Sequence, residues 1–379
     1  MRAINHVYVW GGNDKQYCWS GTPFGLMSGL QECVYSGKIN QVRDLSLEVL
    51  KRKIVIRKIH NAFNKALKRN DFQVYKLRCE EDSLRALRLE DGSPCLVYSE
   101  YLSQHTKNCY IYQDLTVDFL IRLREANPEQ LIYNEMLSLR TTPAAMAFRR
   151  QHAKEFYKEC RGIFTMSDWL AEDLIKNMGI PTEKVHAIGA GVNTDVTKME
   201  RLKKNGKRFL FIGKDWKRKN GSLVVEGFMH LLKSEPDAEL YIAGPTNRPV
   251  EINGCSQIHF LGWVLHEDLV DYYNLCDYFV MPSHFEAYGI VFGEALSFGL
   301  PCIGRNAYAM PEFITHGYNG YLLENEDAGE LSRCMLNLIR HKEIAENVAK
   351  NQINYMSKYS WKAVAERVVA VMEADGAWN

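Results

Sequence analysis

Short apolar runs alternate along this chain with longer amphipathic segments, and the series begins twice. Runs buried on both faces with helical crossovers between them are the signature of a parallel sheet, so the pattern predicts an α/β chain with two doubly wound halves. In the first half the strand candidates are Ile4–Trp10, Cys95–Tyr98, Cys109–Tyr112, Gly162–Met166 and Val185–Ile188. Ser20 or Thr22 with Pro23 opens a helix after the first of these. Ser167 with Asp168 caps another that runs to Met178, where Gly179 and Pro181 stop it. From Asp195 to Lys207 the chain turns polar and basic, with no apolar run long enough to pack, and this marks a linker. The second series follows: strand Arg208–Gly213, helix Asn220–Lys233, strands Glu239–Ala243 and Ile258–Leu261, helix Glu267–Leu275, strand Tyr278–Met281, a helix from Ile290 to Gly299, and strand Pro301–Gly304. The expected domains are 1–196, 207–358 and a terminal helical segment 359–379.

Charge and cysteine content narrow the partners. The 379 residues carry 47 Lys plus Arg against 46 Asp plus Glu, a formal charge of +1, so no whole-molecule field draws the chain to nucleic acid or membrane. A charged partner has to be met by a local patch. Ten cysteines are scattered without a CxxC pair or zinc spacing, which excludes a metal finger and fits reduced thiols in the cytoplasm. The run Ile4–Trp10 is too short for a signal-peptide core, and no long uncharged apolar stretch spans a bilayer.

The chemistry concentrates in 278–326. A strand leads into Pro282-Ser283, then Glu286, Gly289 and Glu294, with seven residues between the glutamates, and then a Gly299-Leu300-Pro301 strand start. Glu286 falls in the loop after a strand and Glu294 in the following helix, whose free N-terminal amides favour a diphosphate. Two acceptor-only carboxylates beside it suit sugar and ribose hydroxyls, and Gly289 permits close backbone approach. Upstream, 209–228 place Gly213 at a strand end, then Lys214 and Lys219, two cations able to neutralise a pyrophosphate leaving group. Lys217 and Arg218 read as solvated.

Together these blocks resemble the donor-binding signature of the retaining GT-B glycosyltransferases of family 4, the glycosyl transferases group 1. The resemblance covers most of the chain and is concentrated in 205–325. It implies a GT-B fold, two Rossmann-like domains facing across a cleft, with Glu286 on the donor sugar hydroxyls, Glu294 on the ribose, and Lys219 and Lys214 on the diphosphate. The donor-binding set is completed by Gly11, Gly12, Gly213, Gly289, Ile290 and Val291, and by the loop Gly262, Trp263 and Val264 at the nucleobase. Two departures alter the rim of the pocket: Ala307 and Tyr308 stand where paired glycines are common, and Asn220 follows Lys219 where glycine is usual. Lys214 stands where arginine is usual and loses bidentate geometry. No DxD motif is present, so neither a metal nor a cofactor is expected, and UDP is the favoured nucleotide of the sugar donor.

In the amino-terminal half, Asp114 follows the strand Cys109–Tyr112 where family members carry a catalytic-pocket His, although Asp114 or Thr116 would serve equally as a helix N-cap. Between Lys51 and Arg69 there are eight basic residues and no acid, with apolar residues at helical spacing. That stretch suits either a core-packed helix with a solvated basic face or peripheral contact with an anionic membrane at its cytoplasmic surface. Residues 359–373 resemble the family's last helix, which crosses back onto the amino-terminal domain. The activity implied is transfer of a sugar from a nucleoside-diphosphate donor to a glycan or lipid-linked hydroxyl acceptor in cell-surface polysaccharide or glycolipid synthesis. The alternatives are another GT-B enzyme, a phosphorylase or nucleotide-sugar epimerase, or a non-catalytic nucleotide-sugar-binding module.

Overall fold

The computed structural model describes residues 2–8, 18–49, 51–55, 81–85, 92–100, 102–127, 143–200, 206–252 and 254–379. They form two compact units, one of residues 1–189 with 361–379 and one of 190–360. Each is a parallel sheet with helical crossovers, as the two apolar series predict.

The first unit carries β1 (Ala3–Val7), β2 (Gln41–Asp44), β3 (Cys95–Val97), β4 (Cys109–Gln113), β5 (Gly162–Thr165) and β6 (Val185–Ala187) in the order β2-β1-β3-β4-β5-β6. β1 is buried throughout and pairs in parallel with both β2 and β3. Its two polar members are buried with partners: Asn5 Nδ2 donates to Ser93 O at 3.1 Å, and His6 Nε2 lies 2.7 Å from the Tyr98 hydroxyl. Thr22–Tyr35 opens with Pro23 in its first turn, but its N-cap is Gly21 in the left-handed region, and no side chain caps it. Ser167 does occupy the N-cap position of Asp168–Lys176, yet its buried hydroxyl makes no cap bond. The helix also ends earlier than Met178. Thr116 is a working cap, accepting from Phe119 N at 3.0 Å at the head of Val117–Ala126. The terminal helix Trp361–Ala374 lies in this unit and packs on Thr22–Tyr35, Trp361 occupying the space above Gly25 and Gly29.

The second unit carries β7 (Arg208–Ile212), β8 (Glu239–Ala243), β9 (Ile258–Gly262), β10 (Tyr278–Val280), β11 (Cys302–Arg305) and β12 (Gly320–Leu323), ordered β12-β11-β10-β7-β8-β9. Phe209, Leu210 and Phe211 at its centre have no exposed surface, and burial of each contributes roughly 1.5–3 kcal/mol. The chain runs from β7 outward to β9, then returns to place β10 on the other flank of β7. That reversal is the topological switch point, where two loops at the carboxyl ends of adjacent strands diverge and leave room for a ligand. The unit begins at Ala190, ahead of the polar stretch 195–207, because Glu294, Asn274 and Gln352 bind residues 193–200 to it. Among the described residues no helix is long and apolar enough to cross a membrane.

Candidate active site

The loops leaving β7 and β10 meet at the switch point. The first folds tightly: Lys219 N donates to Asp215 O at 2.9 Å, Asn220 N to Lys217 O at 3.0 Å and Gly221 N to Trp216 O at 3.0 Å. The turn ends on Asn220 at φ 58°, ψ 42°, and the helix Gly221–Leu231 follows. Asn is among the few residues that enter this region at low cost, so it replaces glycine while keeping the backbone path. Tyr308 does the same in the loop after β11, at φ 54°, and its ring stands edge-on to Phe285 at 4.7 Å. Both departures from the family pattern therefore keep a glycine-like backbone and add a side chain.

The turn delivers Lys219 to Glu286, whose Oε2 accepts from the Lys219 ammonium. Ser283 Oγ lies 3.4 Å from the same oxygen and the Arg218 guanidinium 3.7 Å from it. Arg218 also donates to Phe285 O at 3.0 Å and pairs with Asp215 at 3.2 Å. The expectation of a solvated Arg218 is thus corrected: the tight turn aims it inward along the Glu286 loop, while Lys217 is exposed. His284 N bonds Arg218 O at 2.9 Å, and Arg305 at the end of β11 donates to His284 O at 3.2 Å. Two arginines thereby hold the main chain that carries Glu286. Burial, the largest effect, lowers the pKa of Lys219 although Glu286 opposes it.

Gly289 sits at φ 91° as N-cap of Ile290–Ser297, and a Cβ there would meet the Phe292 ring at 2.9 Å and Glu286 Cγ at 3.0 Å. Ile290 and Val291, half-buried, open that helix beside Glu286. At the ends of β7 and β8, Gly213 and Gly244 touch: a Cβ on Gly244, at φ 118°, would lie 2.6 Å from Gly213 C. Lys214, just beyond, is exposed, and its ammonium lies 4.0 Å from the centroid of the Trp263 ring. Desolvation lowers its pKa. Trp263 itself is 54% exposed, a rim residue, with half-buried Val264 next to it.

Glu294 is brought to a different set of partners. It has no exposed surface; Oε1 accepts from Asn193 N at 3.2 Å and Thr194 N at 3.1 Å, and Oε2 from the Tyr273 hydroxyl at 2.9 Å. His266 Nε2 is 3.2 Å from Oε1. Burial raises the pKa of Glu294, but the His266, Thr194 and Tyr273 contacts outweigh it and the net shift is downward. Asp114 lies in the first unit, just past β4, and Gly11 and Gly12 fall outside the described residues. The sequence reading named Ser283 only as part of the motif frame and missed Arg305, His266, Tyr273 and Gly244. Of these only Gly244, directly after an apolar run and before Pro245, carried a local signal.

Residues 193–355 match the family model described as glycosyl transferases group 1. Among curated relatives, mannosylfructose-phosphate synthase of Agrobacterium fabrum is 24% identical over 251 residues, 59% of this chain and 55% of the relative. The chain spans about half the length of the curated relatives it matches. Among solved structures, sucrose-phosphate synthase from Thermosynechococcus elongatus aligns at TM-score 0.64 with 14% identity, covering 99% of both chains. TarM of S. aureus, a mutant in complex with fondaparinux, α-GlcNAc-glycerol and UDP, aligns at TM-score 0.59 with 15% identity over 78% of this chain and 58% of TarM. The fold is GT-B, and over residues 193–355 the chain is similar to the glycosyl transferases group 1.

Proposed function

We propose that this chain is a retaining glycosyltransferase that moves a hexosyl group from a nucleoside-diphosphate sugar to a hydroxyl acceptor in polysaccharide or glycolipid synthesis. The observation that carries the reading is the Lys219–Glu286 pair at the switch point beside the Gly289 helix start. Lys219, Lys214 and the free amides of the helix would bind the diphosphate and stabilise its charge as the glycosidic bond breaks. Glu286, released from Lys219 by the incoming anion, would take the sugar hydroxyls, and Glu294 the ribose. The leaving diphosphate would accept the acceptor's proton on the face from which it departs, which retains configuration without a protein nucleophile. No metal or cofactor enters this scheme. UDP is our choice of nucleotide, supported by the UDP in the TarM complex. Gly11 and Gly12 are proposed to border the donor phosphates, and Asp114, at the carboxyl end of β4, is proposed to act on the acceptor side.

A thermal-shift panel of UDP, GDP, ADP and dTDP tests the site, since a ligand that binds only the native state raises its stability by mass action. Incubating the responding donor with inorganic phosphate, and without acceptor, separates transfer from phosphorolysis and epimerisation. A donor turned over only with an acceptor sugar or lipid supports the reading, and phosphorolysis sinks it.

A peripheral membrane contact and a cytoplasmic location at the inner face remain part of the proposal. Residues 46–49 and 51–55 are helical and expose Leu47, Ile54 and Val55 beside Lys51; the remainder of the basic stretch, 56–69, lies outside the described residues. Reversing Lys51, Arg52 and Lys53 to Glu should abolish co-sedimentation with anionic vesicles; unchanged co-sedimentation removes this contact.

A further inference from the structure

Glu294 offers a hydroxyl ligand very little room. Two of its donors, Asn193 N and Thr194 N, are main chain. The third, the Tyr273 hydroxyl, belongs to a side chain with no exposed surface, stacked on Phe298 with ring centroids 5.1 Å apart. His266 is the movable partner: its side chain is 37% exposed, and its Nε2 stands 3.2 Å from Glu294 Oε1 and 3.2 Å from Thr194 Oγ1. A sugar hydroxyl arriving at Glu294 therefore enters between carboxylate and imidazole. There it donates to Oε1 and accepts from Nε2–H, so the direct contact becomes a bridge that leaves no polar group unpaired.

We propose that His266, together with Glu294, reads a ribose hydroxyl of the nucleotide, making it a specificity-determining residue that the donor-binding motif does not contain. This rests on the reading of the site as one for a nucleoside diphosphate. His266 is three residues beyond Trp263, in the loop after β9, and the ammonium of Lys214 lies against that Trp263 ring. The charged groups that face His266 are Glu294 and Lys214. Burial lowers the imidazole pKa and Lys214 adds to that, but Glu294 outweighs both and the net direction is upward. The imidazole is thereby biased toward the protonated form that donates through Nε2.

The test is calorimetric titration of the full chain and of its His266→Ala and His266→Gln variants with UDP, 2′-deoxy-UDP and 3′-deoxy-UDP. The wild type should bind UDP at least tenfold more tightly than one of the deoxy analogues. His266→Ala should cut that ratio below threefold while changing the affinity for the deoxy analogue less than threefold. His266→Gln, which keeps a donor near Nε2, should retain part of the ratio, and its melting temperature confirms the fold. A ratio unchanged in both variants, or no discrimination by the wild type, overturns the proposal. A wild type that binds no nucleoside diphosphate is a separate outcome, because it overturns the functional reading beneath the proposal as well.

Discussion

The Lys219 ammonium donates to the Glu286 carboxylate, and both side chains are enclosed, 12% and 10% exposed. The two groups come from loops that follow different strands, β7 and β10, so the pair exists only when the switch point is correctly assembled. In the proposed donor site the cation would meet phosphate oxygens and the carboxylate would accept from sugar hydroxyls. In the structure they satisfy one another, which avoids the cost of two unpaired buried charges.

Breaking the pair from one side leaves an uncompensated buried charge. Lys219→Met should destabilise the protein by about 3 kcal/mol in urea unfolding. The double variant with Glu286→Gln should recover at least half of that loss, since no charge is then stranded. Equal destabilisation by the single and double variants would show the pair to be unimportant to the fold.

Gly244 sets the spacing of the β7 and β8 loops. Gly244→Ala puts a methyl 2.6 Å from Gly213 C, at a φ of 118° that suits only glycine. The expected loss is about 2 kcal/mol or more, together with weaker nucleotide binding as Gly213 and Lys214 shift. A variant with wild-type melting and affinity would contradict this packing.

At Asn220 the backbone decides tolerance. Its Nδ2 is buried without a hydrogen-bond partner, so Asn220→Gly gives up no bond of that nitrogen and should change stability by less than about 0.5 kcal/mol. Asn220→Val places a β-branched residue in the left-handed region and should cost about 1–2 kcal/mol. Melting curves of the two variants should separate clearly.

The His266–Glu294 pair has a defined pH window. The pKa of His266 is raised from its ordinary 6.5, so its contribution is whole below 6.5 and is lost as pH rises through the raised value. That of Glu294 is lowered from 4.5, so its contribution is present above 4.5 and is lost as pH falls through the lowered value. The stability difference between wild type and His266→Gln should therefore be largest between pH 4.5 and 6.5 and shrink toward alkaline pH. A difference that grows above pH 8 would reverse the sign and discard the pair.

The central strand β7 was legible because its buried side chains are apolar without interruption at Phe209-Leu210-Phe211. The edge strand Gln41–Asp44 was not, since an edge in contact with water has no need of an apolar run and this one is polar at three of four positions. The glutamate frame was legible in its spacing, and Lys219 in its distance from Gly213. Arg218 was hidden in a run of charges, because only the turn through Asp215 and Asn220 determines which member points inward. His266 was hidden for another reason: its partner Glu294 is 28 residues away in sequence, and the loop after β9 brings them together.

The central claim is a diphosphate site built on Lys219, and the most direct measurement is the UDP affinity of the full chain against Lys219→Ala and Lys217→Ala by calorimetric titration. The account predicts measurable UDP binding by the wild type, a loss of at least tenfold in Lys219→Ala, and a change of less than twofold in the exposed control Lys217→Ala. Equal affinity in all three proteins, or a larger loss in Lys217→Ala, would contradict it.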